Sequence, residues 1–382
     1  MVAEQRGGAD PPVVGGAAAD DRHRATLRAY EDRATEWQDR RPPRLDGARA
    51  FTASLGPDDG PVLDLGCGPG WHLPALPPGA IAVDGSAAML DLVPAHAPGA
   101  PRLRADLRAL PVRRHSIGAV WANKSYVHVD RRLVPSALWD LHRALRVGGT
   151  AHLGLFGGDA DHEPFDDDPF AGRSFSRWPE DLLRHVIVGA GFSVRSWEVG
   201  DDPDVPALRV KVRRERTLAD LVGPGMRLLL VGLNPSVYSA DVGVGFARPG
   251  NRAWPALLAS GLATIDRDPL DLLRRHRIGM TDLVKRATAR ADELDPSEYR
   301  TGLDRLDALC TWLQPGAVCI VGLTGWRAAS GDRRATAGAQ ERDLGGRPVY
   351  LMPNPSGLNA HTNVDGLAAH FRAALATADR AT

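Results

Sequence analysis

The stretch Leu228-Leu229-Leu230-Val231-Gly232-Leu233-Asn234-Pro235-Ser236 sets a fully apolar run directly before a Gly-Leu-Asn-Pro-Ser pentapeptide. A second stretch repeats the arrangement: Pro348-Val349-Tyr350-Leu351-Met352, then Asn354-Pro355-Ser356-Gly357-Leu358 after Pro353. Short apolar runs closed by turn residues read as buried strands, and loops at strand ends are where α/β folds place their sites. Two such loops can face one cleft. Between them lie Phe246-Ala247-Arg248-Pro249-Gly250-Asn251-Arg252 and Gly279-Met280-Thr281-Asp282-Leu283-Val284-Lys285-Arg286-Ala287-Thr288. Strands are expected at Arg227 to Val231, Ala317 to Val321 and Pro348 to Met352, within an alternation that starts at Met226.

A second alternation precedes this one. Val62 to Leu65, Ala80 to Val83, Ile117 to Ala122 and Thr150 to Phe156 are strand candidates separated by helical patterns, which argues a mainly parallel sheet covered by helices. Phe192 to Val199 and Ala207 to Val212 flank a Gly-Asp-Asp-Pro-Asp-Val-Pro turn and read as a closing hairpin. The expected class is therefore α/β with two domains, 24–214 and 217–375, divided in the charged stretch Arg213 to Arg216. Residues 1–23 are rich in Gly, Ala, Pro and Asp, offer little to bury, and read as a disordered tail.

Composition narrows the function classes. A chain of 382 residues that is 43% hydrophobic can fill two cores. Lys+Arg and Asp+Glu stand at 47 each, and from Thr217 onward at 19 and 17, so no global basic field advertises nucleic acid and any DNA contact must use a local patch. Cys67, Cys310 and Cys319 fit neither a disulfide framework nor a zinc site, implying no metal and a reducing cytoplasm. No stretch of about 18 apolar residues suggests a membrane span, and the N-terminus lacks the basic and apolar regions of a signal peptide. A monomer is expected.

Chemistry in the first half centres on Val62-Leu63-Asp64-Leu65-Gly66-Cys67-Gly68-Pro69-Gly70. Glycines after a strand let the backbone turn sharply beside a ligand, and Asp84 ends the next strand, where an acid can accept from ribose hydroxyls. Asp84-Gly85-Ser86, Arg104-Ala105-Asp106-Leu107 before Leu110-Pro111-Val112, and Leu145-Arg146-Val147-Gly148-Gly149 follow in order. Together these resemble the class I S-adenosylmethionine-dependent methyltransferases. The resemblance implies S-adenosyl-L-methionine as cofactor, with Asp64, Gly66, Gly68 and Gly70 at its methionine end, Asp84 on the ribose and Asp106 at the adenine. Tyr30 to Trp37 resembles the helix that lids the cofactor in that family, or is a plain amphipathic helix. The methyl acceptor is unknown. Ala122-Asn123-Lys124-Ser125-Tyr126-Val127-His128 replaces the Pro-Pro-aromatic loop of amino-methylating DNA enzymes, and Cys67 lies inside the glycine loop rather than after a proline, which disfavours DNA-base methylation.

The four segments of the second half, in their order, resemble the mismatch-specific uracil/thymine DNA glycosylases of the uracil-glycosylase superfamily. The resemblance implies a Rossmann-like methyltransferase sheet followed by a glycosylase-like α/β/α sandwich. It implies excision of uracil, or of thymine and related damaged bases, from double-stranded DNA with G·U or G·T mismatches. Asn234 takes the water-positioning role, Phe246 stacks on the flipped base, and Asn354 contributes to base binding. Leu358 is the apolar wedge, with Ser356, Gly357, Asn251 and Lys285 at the DNA backbone. Three positions depart from the family pattern: Ser236 stands where glycine is usual, Arg248 replaces a frequent histidine, and Asn359-Ala360-His361 lacks the arginine that often follows the wedge. The alternative reading is a methyltransferase whose second domain is a non-catalytic DNA-binding tether or damage sensor.

Overall fold

The computed structural model describes residues 17–40, 44–166, 168–357 and 362–379. Its first sheet contains β1 (Val62–Leu65), β2 (Ile81–Asp84), β3 (Arg102–Arg104), β4 (Ile117–Asn123), β5 (Leu145–Gly157), β6 (Arg177–Trp178), β7 (Phe192–Val199) and β8 (Ala207–Arg214). They run in the order β3-β2-β1-β4-β5-β8-β7, with β6 beside β5; the first five are parallel and the β7–β8 hairpin closes the sheet antiparallel. Helices α1 (Ala17–Asp32), α2 (Ala34–Arg40), α3 (Asp46–Ala53), α4 (Ala87–His96), α5 (Val134–Ala144) and α6 (Glu180–Gly189) accompany it.

Helix α1 starts earlier than the sequence reading allows. Within the expected tail of 1–23, residues 17–23 are helical, because Ala19 and His23 are buried and Asp20 pairs with Arg108 at 3.0 Å. Residues 1–16 lie outside the described residues.

The second sheet orders β9 (Leu228–Gly232), β10 (Ile278–Asp282), β11 (Ala317–Val321), β12 (Gly338–Ala339) and β13 (Val349–Met352) as β10-β9-β11-β13-β12. All but β12 are parallel. The apolar runs are explained by burial on both faces. Leu229, Val231, Val318, Ile320, Val349 and Leu351 pack into one layer, while Leu228, Leu230, Cys319, Tyr350 and Met352 fill the other. Around it lie α7 (Val237–Val242), α8 (Ala253–Ser260), α9 (Pro269–His276), α10 (Pro296–Leu313), α11 (Leu323–Ser330) and α12 (Val364–Asp379). Helix α10 opens on a capping box in which Asp295 accepts from Ser297 N at 2.8 Å and Glu298 accepts from Asp295 N at 2.8 Å.

The two sheets share an apolar junction. Trp139 of α5 packs against the second core, and Trp312 of α10 packs against the first, edge-on to Trp178 at 5.8 Å between ring centroids. Ser136 Oγ donates to Val222 O at 3.0 Å, and Asp220 N donates to Gly189 O at 2.8 Å.

Candidate active sites

In the first half, Gly66, Gly68 and Gly70 all have positive φ (71°, 54° and 86°). A Cβ on Gly66 would fall 2.4 Å from Ser125 Cβ, whereas one on Gly68 would meet nothing within 4 Å. Glycine is thus required at 66 by close packing, and at 68 the loop turns an open side to the cavity. Asp84 is tied to that loop by accepting from Gly68 N and Ser86 N, each at 2.9 Å. Burial pushes its pKa up and those amides pull it back. The carboxylate retains lone pairs for ligand hydroxyls.

Asp64 points into the apolar face of β1. Its Oδ2 has no partner among the described residues, and burial, then the charge of Asp84, pushes its pKa up to about 8. At the other end of the cavity Asp106 receives Arg108 Nη2 at 2.8 Å and lies 3.3 Å from His23 Nε2 of α1. Burial would raise its pKa, but His23 and Arg108 more than offset that and hold it well below the usual carboxylate range.

Gly66, Gly68, Asp84, Asp106 and His23 line one cavity of about 730 Å³, within the range that holds a cofactor-sized ligand, whereas Asp64 and Gly70, also assigned to the cofactor from the sequence, are not in its wall. Much of its wall is aromatic, from Tyr30 of α1, Trp37 of α2, Trp71, Phe156, Phe165 and Phe175. Asn123, Lys124 and His128 also line it. His128 Nδ1 lies 2.8 Å from Ser174 O; a carbonyl only accepts, so Nδ1 carries the proton and Nε2 accepts from Tyr30 Oη at 2.8 Å. Arg173 Nη1 donates to Tyr30 Oη at 3.0 Å and is itself paired with Asp168. Burial lowers the His128 pKa to about 4, so the ring is neutral.

In the second half the motif segments meet at the carboxyl ends of β9, β10 and β13, with Phe246 laid against the end of β9. Asn234 Nδ2 donates to Thr288 Oγ1 at 2.7 Å, to Arg286 O at 3.0 Å and to Pro235 O at 3.3 Å. The carbonyl acceptors fix the orientation of the amide, and Oδ1 is left for a further donor. Thr288 N donates to Pro235 O at 3.1 Å, tying the same two loops through the backbone. Phe246 adopts a left-handed φ of 58°, and its Cζ would lie 3.3 Å from a Cβ on Gly232, so the ring covers the end of β9. Ser236 caps α7, its Oγ accepting from Ser239 N at 3.1 Å, which gives the departure from glycine a local structural role.

The Asn354 loop is fastened to the Phe246 segment. Arg252 N donates to Pro355 O at 3.0 Å, and its guanidinium reaches Ser356 O at 3.0 Å and Thr362 O at 2.6 Å. Gly357 lies against Gly250, where an added Cβ would stand 3.0 Å from Gly250 O. Asn354 is exposed and its Oδ1 accepts from Ser356 N at 2.9 Å. Asn251 Oδ1 accepts from Ala253 N at 2.9 Å at the start of α8. Leu358, the wedge of the sequence reading, lies outside the described residues.

Lys285 requires a correction. Its side chain is 10% exposed and its Nζ lies 2.7 Å from Asp220 Oδ1, in a buried cluster with Arg305 and Thr281. Burial would raise the Asp220 pKa, but the charges of Arg305 and Lys285 hold it below its ordinary value. Lys285 therefore neutralises a buried carboxylate and is not presented to a phosphate.

Sequence reasoning missed Asp282 and Thr288 as site residues. Asp282 ends β10, and a Cβ on Gly232 would lie 2.4 Å from its Oδ1, so carboxyl and Phe246 ring cover the same glycine. Burial pushes its pKa up to about 6. Both stand in the Gly279 to Thr288 segment, and the polar residues in that apolar stretch were the available signal.

Comparison with known proteins matches two separate parts of the chain. Residues 219–378 match the family model of the uracil DNA glycosylase superfamily, and residues 62–149 match that of a methyltransferase domain. The chain joins a methyltransferase domain to a uracil DNA glycosylase superfamily domain. Among solved structures, a SAM-dependent methyltransferase from Methanosarcina mazei is 15% identical over 46% of this chain and 99% of its own, with a TM-score of 0.40. The 1,6-didemethyltoxoflavin-N1-methyltransferase of Burkholderia thailandensis, solved with S-adenosylhomocysteine, is 19% identical over 54% and 94%, with a TM-score of 0.41. A possible histamine N-methyltransferase from Thermotoga maritima is 15% identical over 50% and 100%, with a TM-score of 0.37. Among the described residues no cluster of three His, Cys, Asp or Glu is placed to hold a metal, and no helix is long and apolar enough to cross a membrane.

Proposed function

We propose that the second domain is a monofunctional uracil-DNA glycosylase of base-excision repair, acting on G·U and G·T mismatches in the cytoplasm. The observation that carries this reading is the set of acceptors around Asn234 Nδ2. With its donors committed, the amide has only Oδ1 to offer, and Oδ1 accepts a hydrogen bond from the water that attacks C1′. An amide is a poor base, so the bond to the departing base breaks largely before water attacks, and the amide orients that water rather than deprotonating it. Phe246 receives the flipped base by stacking, while Ser356 and Gly357 follow the DNA backbone. The assigned wedge, Leu358, fills the vacated stack.

Replacement of Asn234 by Ala tests this assignment. Single-turnover uracil release from a G·U duplex is expected to fall about 10²-fold while duplex affinity is kept. Release at the wild-type rate would show that water is held elsewhere. A wild-type protein that binds the duplex without turnover would favour the damage-sensor reading.

The first domain, in this proposal, is an S-adenosylmethionine-dependent methyltransferase. Gly66, Gly68 and Gly70 hold the methionine end, Asp84 the ribose and Asp106 the adenine; Asp64, pushed up to about 8 by burial, is largely protonated beside them and supplies no counter-charge. When bound, the cofactor supplies an electrophilic methyl group. Tyr30, His128 and the aromatic wall face the acceptor, and a chamber of about 730 Å³ shared with the cofactor suits a small molecule rather than a duplex. Label from methyl-tritiated cofactor recovered in duplex DNA would contradict this.

A further inference from the structure

One residue of the methyltransferase domain reaches into the framework of the glycosylase site. Arg114 lies in the loop between β3 and β4, and its Nη1 donates to Val242 O, the last carbonyl of α7, at 2.5 Å. The helix ends on Gly243 with a φ of 70°, where a Cβ would fall 2.1 Å from Arg114 Nη2. The absent side chain makes room for the guanidinium. A cation at a helix C-terminus satisfies a free carbonyl and opposes the negative end of the helix dipole.

Helix α7 joins the two halves of the glycosylase chemistry. It begins immediately after Asn234-Pro235, with Ser236 as its cap, and the chain that leaves it carries Phe246. Gly245 O in that outgoing arm accepts from Trp254 Nε1 at 2.8 Å. The same last turn is gripped by Arg216, whose guanidinium meets both carboxylate oxygens of Asp241 at 2.7 and 2.6 Å. Elsewhere the junction runs through Trp139, Trp312, Ser136 and Gly189, on α5, α6 and α10.

We propose that Arg114 is a positioning residue for the glycosylase, through which the methyltransferase domain holds α7 and the Phe246 arm in the base-receiving arrangement. It touches neither base nor water and acts through the helix. The inference rests on the glycosylase reading above.

The test uses the full chain with Arg114→Ala and Arg114→Lys. In single-turnover titrations with a G·U duplex, Arg114→Ala is expected to raise the half-saturating concentration about fivefold, with the rate at saturation within twofold of wild type. Arg114→Lys, which keeps a cation at the carbonyl, should recover most of the loss. Binding of S-adenosylmethionine should be unchanged. An Arg114→Ala half-saturation equal to wild type overturns the proposal, as does an equal loss in Arg114→Lys or a change confined to the saturating rate. If the wild-type chain releases no uracil, the glycosylase reading fails instead, and equilibrium affinity for the G·U duplex, compared across the three proteins, still decides the role of Arg114.

Discussion

The cofactor chamber and the loop cluster around Asn234 occupy equivalent places, both at the carboxyl ends of parallel strands, but they are built from different materials. The chamber is walled by aromatic rings; outside that wall burial pushes Asp64 up to about 8, while within it Asp106 is held low by His23 and Arg108. The loop cluster is made of strand ends stitched by backbone carbonyls around the neutral amide of Asn234. An enclosed site can discriminate by shape and by buried charge. The second set of loops takes its precision from being fastened to one another, as Thr288 fastens Asn234 and Arg252 fastens Pro355.

The contrast breaks first if a change in one site disables the other. Gly68→Arg fills the open side of the glycine loop and should lower S-adenosylmethionine affinity by ~10³-fold or more in calorimetry. Uracil release should remain within twofold of wild type. Parallel loss of both would mean the two sites do not stand apart. Next in size is Lys285→Ala, which strips one partner from buried Asp220 and should destabilise the second domain by about 3 kcal/mol in urea unfolding. The salt dependence of duplex binding should keep its slope, whereas a phosphate contact would reduce it by about one.

A smaller effect is expected from Thr288→Val, which removes the side-chain partner of Asn234 but leaves the Arg286 carbonyl. Uracil release should fall about tenfold, less than for loss of Asn234 itself. The smallest concerns Asp282, whose carboxyl has an ordinary value of 3.8 and is raised to about 6 by burial. Ionisation therefore costs stability as pH rises from about 4 to 6, and the cost persists above that range. Asp282→Asn should melt ~2 °C above wild type at pH 7.5, with the gap closing below pH 4. An unchanged gap across that range would place the carboxyl in water.

Much of this molecule was legible because its strands are apolar on both faces. β1, β9, β11 and β13 stand where their runs of Val, Leu and Ile predict, and the paired pentapeptides follow β9 and β13, the two strands that flank β11. What escaped lacks that signature. β3 is Arg-Leu-Arg at a sheet edge, and β10 is interrupted by Gly279, Thr281 and Asp282, so neither forms an apolar run. The early start of α1 depends on Asp20 finding Arg108, 88 residues away. Lys285 sits among charged neighbours that look solvated, and only Asp220, 65 residues upstream, turns it inward. Local pattern reports which face is buried. It does not report which distant charge will be waiting there.

Trp139 and Trp312 each complete a core that belongs to the other half. The fusion is consequently more than two genes read in one frame: once each side had come to lean on a ring supplied by its neighbour, separation would leave two greasy scars. Proteolysis or gene fission near Leu218 should yield fragments that cling to each other or precipitate, and selection would resist any recombination that parts them. Whatever advantage first joined a methyltransferase-like domain to a uracil-DNA-glycosylase-like one, the exchange of tryptophans now keeps them together.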